Sequence, residues 1–344
     1  MNIASVLACI MAAALLLYVL LAGADYGAGF WDLLSSGPSK DAQKELIANA
    51  IQPIWEANHV WLILILVLLF AGFPPAFGAV MIALHVPILL MLVGIVLRGS
   101  SFVFRAYSTI DSEMRKACAY VFSISSSFTP FFMGILIGSL SDNRVLVSED
   151  VSINGYLFNW LNPFSVSMGL LTVALFAFLA ASYLTAEAAT DELRRTFRNR
   201  TVGAGVAGIV LTVITFALSA EYATGLREGF TRNSVAICFA IIAWLAIAVS
   251  FVALYKGCFQ LSRIMAAVHA GSIVVVWAVA QYPYIARPQR TIFNSMLSAT
   301  VVHDIVLACV AGAIVLFPSL GILLYVFKDQ RRNKAAASSS KVQP

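Results

Sequence analysis

The sequence predicts an all-α, polytopic membrane protein of nine transmembrane helices, and three observations predict it. Hydrophobic residues make up 60% of the 344 and charged residues only 11%. With a mean hydropathy of +0.88, that leaves too little polar surface for a water-soluble globule. Uncharged stretches recur at 5–24, 60–97, 117–141, 151–186, 201–220, 233–255, 264–286 and 305–327, and a helix needs roughly 20 apolar residues to cross the hydrocarbon core. The stretch 60–97 is too long for one span and is divided by Gly72, Pro74 and Pro75, because proline lacks the backbone donor that continues a helix.

Each element has its own justification. The first stretch lacks a basic segment ahead of it and is longer than the apolar part of a secretory signal, so it is expected to stay as helix 1. Helix 2 starts near Pro53, a residue suited to a first turn, with Glu56 at the positive end of the helix dipole. Helix 3 is expected over 74–97 with His85 in its middle. The largest connection, around 141–162, is mildly acidic, with Asp142, Glu149 and Asp150. Helix 8 carries His269 near its start, Tyr282-Pro283-Tyr284 and Arg287-Pro288 break the chain after it, and His303-Asp304 opens helix 9. Residues 1–330 are expected to form one transmembrane domain of two four-helix bundles plus one helix, and 331–344, rich in Ala, Ser and Lys, a disordered cytoplasmic tail. No repeated motif marks an internal duplication.

Charge orients this bundle. Seventeen of the 22 Lys and Arg fall on alternate connections, from Lys40 and Lys44 through Arg98, Arg194 and Lys256 to Lys341. Arg144, Arg227, Arg232, Arg287 and Arg290 occupy the other side. Positive-inside bias then places the N-terminus outside and the C-terminus in the cytoplasm, and the net charge of +5 needs no nucleic-acid partner. Cys9, Cys118, Cys238, Cys258 and Cys309 fall in or beside apolar segments without metal-ligand or haem-attachment spacing, so they are expected as small core residues, with no disulfide or metal site.

Asp25, Glu56 and His59 are the exceptions to this apolar pattern. A carboxylate in hydrocarbon costs several kcal/mol and normally faces a protein interior, a water file or a partner. Asp25 lies roughly 30 Å along helix 1 at 1.5 Å per residue, at a depth similar to Glu56 on helix 2 and Arg98 at the end of helix 3. Small residues around it, Gly23, Ala24, Gly27, Ala28 and Gly29, let another backbone approach closely. Glu56 and His59 are three apart on one helix face, where they can relay a proton or hold a water. Trp55 and Trp61 flank them as candidate interfacial anchors. An acid at a helix end that only pairs with Arg98 is the plainer alternative for Asp25. His85, His269 and His303 have no second histidine at helical spacing and are expected to make core or polar contacts.

The segments Ala22-Gly23-Ala24-Asp25-Tyr26-Gly27-Ala28-Gly29, Pro53-Ile54-Trp55-Glu56-Ala57-Asn58-His59-Val60-Trp61-Leu62, Leu97-Arg98-Gly99 with Phe104-Arg105, Ser127-Phe128-Thr129-Pro130 and Leu161-Asn162-Pro163-Phe164 together resemble subunit II of cytochrome bd-type quinol oxidases. The likeness runs from about residue 5 to 330. It implies the haem-free subunit of a respiratory oxidase in the bacterial plasma membrane, one that couples quinol oxidation to the reduction of oxygen to water. By the resemblance, subunit I carries two haems b and a haem d or b together with the quinol site. This chain then supports haem assembly and offers a cytoplasmic proton path through Asp25, Glu56 and His59. Arg98 would act on the haem site electrostatically and Trp55 would stand near the cofactor. The resemblance also allows for a small single-helix accessory subunit and for a bound lipid or structural quinone. Some members carry, near the position of Tyr120 and just before the Ser-Phe-x-Pro element, an aspartate that this sequence lacks, and only some share His59. A proton-coupled secondary transporter is the alternative, since acids and glycine- or proline-broken helices also suit that class.

Overall fold

The structure, a computed structural model, describes residues 2–51, 55–107, 112–145, 158–316 and 318–319. Twelve helices carry the described chain: α1 (Ile3–Leu33), α2 (Lys40–Ile51), α3 (Trp55–Gly72), α4 (Pro74–Ala83), α5 (His85–Tyr107), α6 (Ser112–Ser141), α7 (Pro163–Glu187), α8 (Asp191–Tyr222), α9 (Thr224–Arg232), α10 (Ser234–Tyr255), α11 (Phe259–Gln281) and α12 (Ala299–Leu316). Among the described residues, eight helices are long and apolar enough to cross a membrane, and α3 with α4, bent by 117° at Phe73, makes a ninth when taken as one span.

The spans pack as α1, α3, α5 and α6 on one side and α7, α8, α10 and α11 on the other. Helix α7 is the most buried span and packs against α1, α6, α8 and α11, while α1 also meets α3 and α6. These two helices are therefore the spine on which both bundles close. Helix α12 lies outside, touching α1 and α3 through Val302, Ile305 and Val306 near Leu7 and Phe73.

Local chemistry explains the starts and breaks. Asn162 caps α7 by accepting from Ser165 N at 2.9 Å, with Pro163 at the first helical position, a placement where its missing N–H costs nothing. The Asn162 amide also donates to Asp142 at 3.0 Å, tying the end of α6 to the start of α7. Asp142, expected on an open acidic loop, is 1% exposed, and burial pushes its carboxyl above the ordinary range against the pull of Arg144. Glu149 and Asp150 lie outside the described residues, as does the tail 331–344.

Four expectations are corrected. The helix expected over 74–97 is interrupted at Leu84, because Pro87 has no N–H for the Ala83 carbonyl and the chain must restart. His85 consequently begins α5, with Nδ1 2.9 Å from Ile82 O, and His269 sits mid-way along α11 rather than near its start. None of the five cysteines is in the core: Cys9, Cys238 and Cys258 are exposed, and Cys118 and Cys309 are half-buried. Trp61 is a core residue at 6% exposure, not an interfacial anchor. The chain after α11 forms a two-stranded hairpin, Tyr284–Ala286 with Arg290–Thr291.

Gly27 sets the distance between α1 and α7, since a Cβ there would run into the Phe176 carbonyl of α7. Backbone cannot move aside cheaply. Gly27→Ala is expected to destabilise the protein by about 1–3 kcal/mol through overpacking, seen as a lower thermal midpoint in detergent. Gly78→Ala, with nothing near its Cβ position, should leave the midpoint unchanged.

Candidate functional site: a buried ion pair in an orphaned polar cluster

Arg98 projects from α5 into the first bundle and is 1% exposed. Its Nη2 donates to Asp25 Oδ1 at 2.6 Å and to the Asp25 carbonyl at 3.4 Å, and its Nε donates to Ser126 Oγ at 3.0 Å. The guanidinium carbon stands 4.6 Å from the Tyr26 ring centroid and 5.0 Å from that of Phe122. Carboxylate, hydroxyl and two aromatic faces thus replace the water that a guanidinium loses on burial. Local sequence makes the fit: Gly29, one turn after Asp25, leaves the room that Ser126 occupies, and Ser126 Oγ donates onward to Phe122 O at 2.7 Å.

His59 enters from α3. Its ring is edge-on to Tyr26 at 6.1 Å and 6.3 Å from Tyr18, while Tyr26 stacks on Phe176 of α7 at 6.4 Å. Asp25 Oδ2 and His59 Nδ1 are buried here without a hydrogen-bond partner among the described residues, the Tyr18 and Tyr26 hydroxyls have only each other nearby, and Asn58 Nδ2, next to His59 in sequence, is likewise buried and unmatched. Leaving one such atom without a partner costs about 1–3 kcal/mol, so a group of them makes this the least satisfied polar cluster of the first bundle.

The structure therefore brings Asp25, His59 and Arg98 together from three helices. Arg98 had been counted with the surface cations that orient the bundle; it is instead an interior group, and the bias survives without it. Trp55 and Glu56 begin α3, one turn before Asn58 and His59, and their side chains lie outside the described residues. His85, His269 and His303 are elsewhere: His269 Nδ1 is 2.8 Å from Ala243 O, and His303 meets Asp304 at 3.6 Å on the surface. Among the described residues no three His, Cys, Asp or Glu groups converge as a metal site does.

Sequence reasoning missed Tyr18, Tyr26 and Ser126, and also Asp32, a second buried acid on α1 at 2% exposure. The spacing of seven between Asp25 and Asp32, two helical turns, was the available signal. Near that end of α1, Arg200 of α8 lies 5.2 Å from the Trp31 ring and donates to Leu34 O at 3.0 Å and Gln43 Oε1 at 2.8 Å, so α1, α2 and α8 meet there. A separate apolar cavity of about 390 Å³ opens among α7, α8, α10 and α11, lined by Met168, Leu171, Ile209, Trp244 and Trp277, with Arg227 among its lining groups.

Comparison with known proteins places this geometry in a context. The family described as Cytochrome bd terminal oxidase subunit II matches residues 3–327. The chain is 26% identical over 237 residues to cytochrome bd ubiquinol oxidase subunit 2 of Bacillus subtilis, covering 66% of this chain and 67% of that one. It is also 26% identical over 197 residues to cytochrome bd-I ubiquinol oxidase subunit 2 of Escherichia coli, where the match covers 56% of this chain and spans half the length of the relative. The fold matches a chain in the structure of bd oxidase from Geobacillus thermodenitrificans with a TM-score of 0.78 at 22% identity, covering 95% and 99% of the two chains.

Removing one member of the ion pair leaves the other charge buried and alone. Arg98→Met is expected to cost about 3–5 kcal/mol, and adding Asp25→Asn should recover part of that loss. A double-mutant cycle on denaturant midpoints in detergent measures the coupling, and additive single effects would contradict a paired interior charge.

Proposed function

We propose, on the premise that this chain belongs to the cytochrome bd terminal oxidase subunit II family, that it is the haem-free half of a quinol-oxidising, oxygen-reducing complex. Its partner is a haem-bearing subunit I, which in this proposal holds two haems b and a haem d or b and the quinol site. Those groups supply the electron transfer and oxygen chemistry. This chain contributes packing that stabilises the haem subunit and a hydrated route that brings protons toward it. The complex works in the bacterial plasma membrane, and the end of the bundle that gathers most of the Lys and Arg faces the cytoplasm.

The observation that carries the proton route is the coincidence of a buried Asp25–Arg98 pair, whose second carboxylate oxygen is unmatched, with the buried Tyr18, Tyr26 and His59 side chains near it. Arg98 holds Asp25 Oδ1, leaving Oδ2 to accept a proton. Tyr18, Tyr26, Asn58 and His59 provide alternate donors and acceptors for water next to it. Glu56, one turn along α3, is assigned to the same route. Because Arg98 keeps its charge at any working pH, it also sets the local field and so acts on the neighbouring subunit without touching a haem; Trp55 is proposed to stand near that interface. The cavity among α7, α8, α10 and α11 offers a place for a lipid or structural quinone tail, and exposed apolar faces leave room for a single-helix accessory subunit.

Asp25→Asn and Glu56→Gln, compared in assembled complexes whose visible spectra confirm full haem content, are each expected to slow quinol-driven oxygen consumption by about tenfold or more. Unchanged turnover in both would remove this route. Loss of haem instead would assign the residues to assembly.

A further inference from the structure

We infer that Asp32 is the uptake-side acid of this chain's proton route, passing protons to the Asp25–Arg98 cluster along a serine ladder on α6. The inference rests on the route proposed above and extends it by one carboxylate and the Ser123 hydroxyl, with Ser126, held between Arg98 and Phe122 O, marking the way without passing the proton itself.

Asp32 is 2% exposed, one residue before the end of α1. An acid so near a helix terminus would ordinarily turn to solvent; this one turns inward, where Ser123 Oγ of α6 donates to its Oδ2 at 2.7 Å. One turn along α6, Ser126 Oγ accepts from Arg98 Nε, and Arg98 holds Asp25. On α1 the matching positions are Asp25, Gly29 and Asp32, spaced four and three apart and hence on one face. Gly29 lacks the Cβ that would strike Ser126, so the two serines lie against that face between the two acids. Asp32 and Asp25 are about 10 Å apart along the helix axis, too far for direct transfer. The serines divide the interval. Neighbouring positions one turn apart on a helix are about 5–6 Å from each other, a gap that one water spans.

Asp32 also stands where the basic end of the bundle begins. Its neighbour Trp31 carries the Arg200 guanidinium on its ring, and Arg200 in turn holds Leu34 O. Arg200 thus sets a positive charge at the end of α1 that carries Asp32.

The chemistry needs no redox partner. Asp32 takes a proton from external water as an O–H bond forms on the carboxylate. It then gives that proton to the Ser123 oxygen while Ser123 releases its own proton to a bridging water, which hands one on beyond Ser126 to Asp25 Oδ2. Ser123 and the water end as they began, the Asp32 carboxylate is restored, and Asp25 Oδ2 carries the one proton that has moved inward.

Asp32→Asn in the assembled complex, with its haem spectrum intact, is expected to lower quinol-driven oxygen consumption by about tenfold at alkaline pH, where scarce bulk protons make uptake limiting, and much less at acidic pH, where they are plentiful. Asp32→Glu should restore most of the rate, which a merely structural role would not predict. Ser123→Ala keeps the acid, removes the hydroxyl, and should show the same pH-dependent slowing, and it carries the test if Asp32→Asn fails to assemble. An unchanged rate and pH profile in Ser123→Ala and Asp32→Asn, while Asp25→Asn is slow, overturns the role of Asp32 and leaves the wider route standing. Normal rates in all three overturn both.

Discussion

Everything in the first bundle is organised around keeping one positive charge out of water. Arg98 cannot be neutralised by losing a proton, so its burial in a protein surrounded by hydrocarbon forces the surroundings to answer it. Asp25 supplies the counter-charge, Ser126 a neutral acceptor, and Tyr26 and Phe122 their ring faces. These partners come from α1 and α6, and the contact is possible only because glycine at position 29 lets α6 close on α1. The same helix uses glycine at position 27 to close on α7. Electrostatic demand on one face of α1 and tight backbone packing on another are therefore met by alternating small and polar residues along a single helix.

A fully satisfied charge network would be rigid and inert, and this one is neither fully satisfied nor solvent-exposed. Arg98 engages one carboxylate oxygen of Asp25, the Asp25 carbonyl and Ser126, and the second carboxylate oxygen stays uncommitted. Structural ion pairs in apolar cores are commonly closed on all sides, because each open polar atom costs stability. Several at one point are a cost that the packing of the first bundle carries.

Much of this was legible in the sequence. Most span positions and their number follow from where charges interrupt apolar runs, and the pairing of Asp25 with Arg98, there the plainer of two readings, is what the structure shows. The parts that were not legible share a physical cause: they depend on partners supplied by distant segments. Helix α2 carries ordinary surface polarity and shows no apolar run. The stop at Leu84 depends on one missing donor at Pro87 within a continuously hydrophobic stretch. Asp32 resembles any helix-terminal acid until α6 is known to place Ser123 beside it. The cysteines illustrate the reverse error, since in a membrane protein apolar flanks do not distinguish core from lipid-facing surface, both being oily. His59 and Glu56 were singled out by the same local spacing; His59 joins the cluster, while the Glu56 side chain lies outside the described residues.

Helix α12 touches the rest of the chain lightly, through a few aliphatic contacts with α1 and α3, whereas α7 is enveloped. During synthesis the ribosome releases the spans in order, so both bundles have all their internal neighbours before α12 emerges. That span then arrives as an addition to a body already packed, and its outward flank, carrying Leu307, Val310 and Ile314, is exposed among the described residues. Exchange or fusion of that helix would thus alter the molecule's neighbours while leaving its interior chemistry intact.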